Sequence, residues 1–327
     1  MRLRRVEELL ERLGVELPIV QAGMGGGLAT HELAAAVSEA GGLGTIGILP
    51  PDRLRDEVAA ARRLTGKPIA VNLLLPFARR RHFEAAGEAE VLVTFWGRPR
   101  RRTARVWIHQ CGSVEEALAA RKAGADAVIA QGIEAGGHVR GTAPALDLLA
   151  AVRAALGAGY PVLSAGGLAE SPDVRARLDA GAAAVVCGTR FLVSEESGAH
   201  PEYKRRLVDS RETLLTELFG VGWPAPHRVV SNAATERWLS DDPRGPGWLR
   251  AAHRVTRPVL ARAPARLQER LSTTQAPGMP FFGPTAALRG GQDNLVEAGP
   301  LYAGESVARI DAVRPAARLV EELAAGI

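Results

Sequence analysis

KAGADAVIAQG (Lys122–Gly132) finishes one amphipathic segment and opens a strand, and DAGAAAVVCGT (Asp179–Thr189) repeats the arrangement almost position for position. In both, Ala-Gly stands where a helix stops, because glycine takes the left-handed turn that such an end requires. A short apolar run follows, then a polar residue and a glycine. EAGGLGTIGI, from Glu39 to Ile48, is a third copy of the join. A joint that recurs along the chain implies a repeated strand–helix unit.

Outward from these joints, eight apolar runs of strand length alternate with helix-like stretches: Pro18–Ala22, Gly44–Leu49, Pro68–Leu75, Glu90–Trp96, Arg105–Cys111, Asp126–Gly132, Pro161–Gly167 and Ala183–Thr189. Several are apolar at every position, the mark of parallel strands covered on both faces. Eight such units predict an α/β fold, a (β/α)8 TIM barrel, with a C-terminal appendage packed on it. We expect the barrel to take residues 1–209 and 305–327, and the turn-rich part, 210–304, to cap its mouth. Only Arg98–Arg105 joins the fourth run to the fifth, too short for a barrel helix. A gap or stub is therefore expected there, covered by a partner or by the C-terminal region.

Composition narrows the class. With 327 residues and 46% hydrophobic content, the chain can bury a large core. It has no apolar run of ~18 residues, so no membrane span is expected. MRLRRVEELLERLG at the start reads as a surface helix rather than a signal peptide. Two cysteines, Cys111 and Cys187, give no disulfide framework and suit a cytoplasmic protein. Spacing suggests no metal site and no Ser-His-Asp triad. The charge of +5 includes the arginine clusters Ala78–Arg81 and Arg98–Arg105. No aromatic residues or nucleic-acid motif interleave with them, so they read as a solvated face and no nucleic-acid partner is expected.

Barrel chemistry sits at the C-terminal strand ends, where the unusual residues fall. SAGGLAESPDV and VCGTRF place Gly166, Gly167, Gly188 and Thr189 after the seventh and eighth runs, where main-chain N–H groups can approach a phosphate. QAGMGGG puts Gln21, Ala22, Gly23 and Met24 after the first run, with spacing wrong for a dinucleotide fingerprint. It is either a plain turn or a bend against which a flat group lies. Asn72, Gln110 and Gln131 are carboxamides at or near strand ends. Asn72 and Gln131, taken singly, suit bracing; together they suit the alternating donors and acceptors of a flavin pyrimidine edge. His138 follows Gly136 and Gly137 beside these groups and titrates near working pH, which makes it the candidate base. His109 should point away from Gln110 and be structural; His31, His200 and His227 have no such setting.

PIVQAGMGGG, VNLLL, VIAQGIEAGGH, PVLSAGGLAE and VVCGTRFLVSEES together resemble the nitronate monooxygenase family, formerly the 2-nitropropane dioxygenases. The likeness runs from about Pro18 to Tyr203, and LFGVGWPAPHRVV and LYAGESVARIDAVRPAARLV carry it to the end. It implies FMN, with its phosphate at Gly166–Gly167 and Gly188–Thr189. The ring would meet the Gln21–Met24 main chain, Asn72, Gln110, Gln131 and Gly136. It implies His138 as catalytic base, and a small-molecule nitronate oxidised by dioxygen to a carbonyl compound and nitrite. Some relatives carry lysine where Gln110 stands, and the short WGRPRRRTARVW segment departs from the family pattern. The same framework serves FMN-dependent NAD(P)H reductases of enoyl thioesters or quinones, which is the alternative reading. The oligomeric state stays open, a homodimer being the assembly carried forward.

Overall fold

The computed structural model describes residues 2–100, 104–240, 242–260 and 274–327. Each of the eight apolar runs contains a strand: β1 (Ile19–Gln21), β2 (Gly44–Ile46), β3 (Ile69–Leu74), β4 (Val91–Phe95), β5 (Val106–Cys111), β6 (Ala127–Gln131), β8 (Val162–Ala165) and β9 (Ala184–Cys187). All pair in parallel, in the order β1-β9-β8-β6-β5-β4-β3-β2. Leu43, just ahead of β2, closes the circle: its N–H donates to Ile19 and its carbonyl accepts from Gln21, both at 2.9 Å. With no free edge, every strand is buried on two faces, which is why the runs lack polar alternation.

Alternation reappears once the closed sheet is read as inside and outside. Val93, Ile108, Ile129, Leu163 and Val186 share the interior cluster, and Leu9 and Leu13 of α1 (Arg2–Leu13) join them. The N-terminal helix is thus no plain surface helix, because its apolar stripe packs into the barrel interior. The outer ring includes α2 (His31–Glu39) and α3 (Pro51–Leu64). The last helix, Ala316–Ala324, packs against α2 and against the helix Ser171–Asp179. Leu319, Val320 and Leu323 are buried there beside Ile19 and Val185. Each such side chain contributes roughly 1.5–3 kcal/mol by leaving water.

Between β4 and β5 no helix forms among the described residues, and 101–103 lie outside them. The outer face of β5 is covered instead by its own Trp107, 2% exposed, in one cluster with Leu92, Ala85 and Ala86. Trp107 Nε1 donates to Thr94 Oγ1 at 2.8 Å. His109 bonds the same oxygen at 2.8 Å and is buried, so its role here is structural.

A second sheet forms from the rest of the chain. β10 (Leu214–Thr216), β11 (His227–Val230) and β12 (Leu301–Tyr302) are antiparallel, and β11 also pairs with β7 (Gly137–His138). β7 belongs to the loop after β6. Its pairing, with His138 opposite His227, fastens the appendage to the barrel mouth.

Candidate active site

The C-terminal strand ends surround a cavity of about 400 Å³, within the roughly 300–1,000 Å³ usual for small-molecule and cofactor sites. Ala22, Gly23, Met24, Asn72, Gln110, Gln131, Gly136, His138, Gly166, Gly167, Gly188 and Thr189 all line it. Gln21 does not. Its fully buried side chain accepts from Thr45 N–H at 2.8 Å and donates to the Ala22 carbonyl, so it braces β1 against β2. The last inward position of so short a strand is used up in closing the barrel.

One wall is main chain. A Cβ on Gly23 would overlap the Asn72 Cβ, and one on Gly47 would overlap the Met24 carbonyl. Gly166 and Gly167 both take left-handed φ, 112° and 73°, turning the chain sharply after β8. Their carbonyls are occupied by guanidinium groups that do not line the cavity. Arg177 Nη2 donates to Gly166 O at 3.1 Å and Arg309 Nη2 to Gly167 O at 2.9 Å. The turn's remaining polar groups are N–H donors, suited to an anion. Beside it, Thr189 Oγ1 accepts from Gly304 N–H at 2.8 Å. Gly304 and Ser306 also line the cavity and come from the C-terminal segment. They were not singled out from sequence, although LYAGES lies inside the stretch carrying the resemblance. A phosphorylated flavin fits these residues: two glycine turns after β8 and β9, three carboxamides, and the main chain of Ala22–Met24 all line one cavity.

The opposite wall is aromatic. The His138 ring stacks on Trp223 with centroids 3.6 Å apart and planes 20° from parallel. Tyr302 lies 5.6 Å away and Trp96 6.3 Å. Gln131 holds the loop that carries His138, accepting from Arg140 N–H at 2.9 Å and donating to the His138 carbonyl at 3.1 Å. Its carboxamide thus braces even while it lines the cavity.

His227, which showed no functional setting in sequence, is fully buried with its ring 5.4 Å from that of His138. Its Nε2 accepts from Phe219 N–H at 3.2 Å, so Nδ1 carries the proton and donates to the Ala225 carbonyl at 2.9 Å. Burial pushes its pKa down to about 4. Burial, and secondarily His227, hold the His138 pKa well below the ordinary histidine range. His138 is therefore neutral at pH 7, and its Nε2 is buried without a hydrogen-bond partner. A neutral imidazole with an unfilled ring nitrogen at a cavity wall can take or share a substrate proton.

Trp96 is the one non-glycine residue with positive φ among those described, at 63°. For a bulky side chain this costs about 1–3 kcal/mol, a strain that typically collects at functional sites. Cys187 lines the cavity, but burial pushes its thiol up to about 12, so it offers no thiolate. His31 pairs with Glu57 at 2.6 Å, and His200 Nδ1 accepts from Glu202 N–H at 3.1 Å, both away from the cavity.

A barrel mouth divided in this way, backbone donors on one side and a neutral imidazole on the other, is that of a flavin-dependent oxidoreductase. Comparison with known proteins narrows the class. Residues 7–94 and 97–326 match the nitronate monooxygenase family, and the chain belongs to it. A probable nitronate monooxygenase of Staphylococcus saprophyticus is 35% identical, over 62% of this chain and 72% of that protein. A Mycobacterium tuberculosis protein described as a 5-hydroxy-7a-methyl-1-oxo-octahydro-1H-indene-4-carboxyl-CoA dehydrogenase is 28% identical, over 99% of this chain and 96% of its own. Among solved structures, nitroalkane oxidase from Streptomyces ansochromogenes has TM-score 0.74 and 30% identity, over 97% of this chain and 96% of that one.

Proposed function

We propose that the protein oxidises alkyl nitronates, and nitroalkanes through their nitronates, with dioxygen, giving a carbonyl compound and nitrite. FMN is the flavin we assign, held at Gly166–Gly167 and Gly188–Thr189 by main-chain donors. When bound, it supplies the electron-accepting centre of the reaction. The observation that carries the reading is His138: a neutral imidazole at the cavity wall with Nε2 unpartnered. With a neutral nitroalkane, this nitrogen takes the α-proton; with a preformed nitronate no proton need move. Trp223 fixes the plane of the ring, and the β7–β11 pairing fixes its backbone.

Anaerobic mixing tests the proposal. Bleaching of the flavin's visible absorbance by a nitronate, and not by NADH, is the expected result. Rapid bleaching by NADH with none by nitronate would overturn it. A second reading, an NAD(P)H-dependent reductase of enoyl thioesters or quinones, draws support from the apolar breadth of the cavity. Leu74, Phe77, Phe95, Trp223 and Tyr302 line it, and among the described residues no Lys, Arg, Asp or Glu does. The carboxyl-CoA dehydrogenase matched over nearly its full length supports the same reading.

A further inference from the structure

Among the described residues no Lys, Arg, Asp or Glu lines the cavity. Phe77 lines the cavity while remaining 38% exposed, and its ring packs edge-on to Trp223 at 5.1 Å. Two residues on, exposed Arg79 donates only to the carbonyls of Pro76 and Ala78. Trp96, whose ring meets Trp223 and His138, and Gly97 both take positive φ at the end of β4, and Arg98 and Arg100 follow, exposed. Neither arginine has a hydrogen bond or ion pair among the described residues. The guanidinium of Arg140 lies 4.9 Å above the Trp96 ring and is paired with Glu116. The acids nearby are already engaged: Asp52 by Arg55 and Arg81, Glu84 by Arg80, Glu116 by Arg140. Gly97–Arg105 contains no acidic residue. Arg79, Arg98 and Arg100 are left without a carboxylate partner among the described residues.

An apolar chamber with an exposed ring at its rim and arginines that no carboxylate neutralises nearby in sequence fits a ligand of two chemical halves. Its reacting end is uncharged and enters; its other end carries phosphates and a flat heterocycle and stays outside. We propose that this rim binds the adenosine diphosphate tail of a nucleotide-bearing co-substrate, with adenine against Phe77 and the pyrophosphate between Arg79, Arg98 and Arg100. Guanidinium suits phosphate through paired, planar N–H donors, and bases stack on aromatic side chains. Two ligand types carry such a tail, coenzyme A thioesters and NAD(P)H. A nitronate oxidised by dioxygen carries none, so this inference rests on the second reading above.

Calorimetric titration of the flavin-loaded protein at low salt, with ADP, inorganic pyrophosphate, coenzyme A and NADPH, tests it. ADP should bind about tenfold or more tighter than pyrophosphate, and weaken as salt screens the exposed charges. The double variant Arg98→Glu/Arg100→Glu should weaken ADP about tenfold, with flavin content and thermal midpoint unchanged; Arg79→Glu probes the third arginine. Phe77→Ala should erase the advantage of ADP over pyrophosphate. Coenzyme A binding tighter than NADPH identifies a thioester, the reverse order an electron donor, and either supports the site. Equal affinity for ADP and pyrophosphate, or ADP binding indifferent to both arginine variants, would reduce the rim to a basic patch and overturn the proposal. Tail binding without flavin bleaching by NADPH and without turnover of an enoyl-coenzyme A would sink the reductase reading and leave the site standing.

Discussion

The two walls of the cavity are built on opposite principles. The barrel wall is glycine turns and carboxamides, held so tightly that a methyl group at Gly23 has no room beside Asn72. The appendage wall is large side chains, Trp223 and Tyr302, stacked around His138. Main chain gives rigid donors in fixed places, which a cofactor requires. Aromatic side chains give an apolar, adjustable surface, which substrates differ over. Family relatives with differently named activities are consistent with a shared first wall and a variable second one.

The sharpest way to break this division is at His138, carried by a barrel loop and stacked on the appendage. His138→Asn should lower turnover of a neutral nitroalkane about 10²–10⁴-fold, the range of a lost general base. Flavin content should hold, because the barrel wall is untouched; loss of flavin with turnover would show that the walls are not separable. Next in size is Trp223→Ala, which removes a side chain only 5% exposed and should cost about 3–5 kcal/mol. Hydrogen exchange should quicken in β7 and β11 first, with the barrel strands protected. Uniform loss of protection would make the two regions one cooperative unit.

Gly136→Ala probes the seam, where a Cβ would overlap the main chain of Ala303 and Gly304. Forcing the C-terminal segment away should cost about 1–3 kcal/mol of unfolding free energy. It should also weaken flavin retention, since Gly304 and Ser306 line the cavity. Per pH unit, the smallest effect is that of a single buried histidine. His227 has a folded pKa of about 4, below the ordinary histidine value. The unfolded chain therefore binds the proton first, and stability falls as pH drops from about 6.5 toward the folded value, by about 1.4 kcal/mol per unit for one group. Denaturant unfolding between pH 7 and 5 checks the slope, and His227→Gln should reduce it by one proton.

How much was legible follows the same boundary. Each barrel strand could be read because burial on both faces leaves an uninterrupted apolar run. Gly166, Gly167, Gly188 and Thr189 could be read because turns into a helix need particular residues. β7, β10, β11 and β12, of two to four residues each, carry no period to detect. His227 looked ordinary because its two partners, Phe219 N–H and the Ala225 carbonyl, are backbone groups without sequence signature. The Gln21 carboxamide was equally silent: its partners, Thr45 N–H and the Ala22 carbonyl, are backbone groups too.

The order of residues by itself determined the barrel, the strand ends at which chemistry gathers, and the glycine turns, since these depend on local conformational preference and on period. Only the folded chain decided which aromatic rings meet His138 and that its imidazole is neutral. Desolvation and stacking arise from neighbours as far apart in the chain as His138 and Tyr302, and no local pattern encodes them.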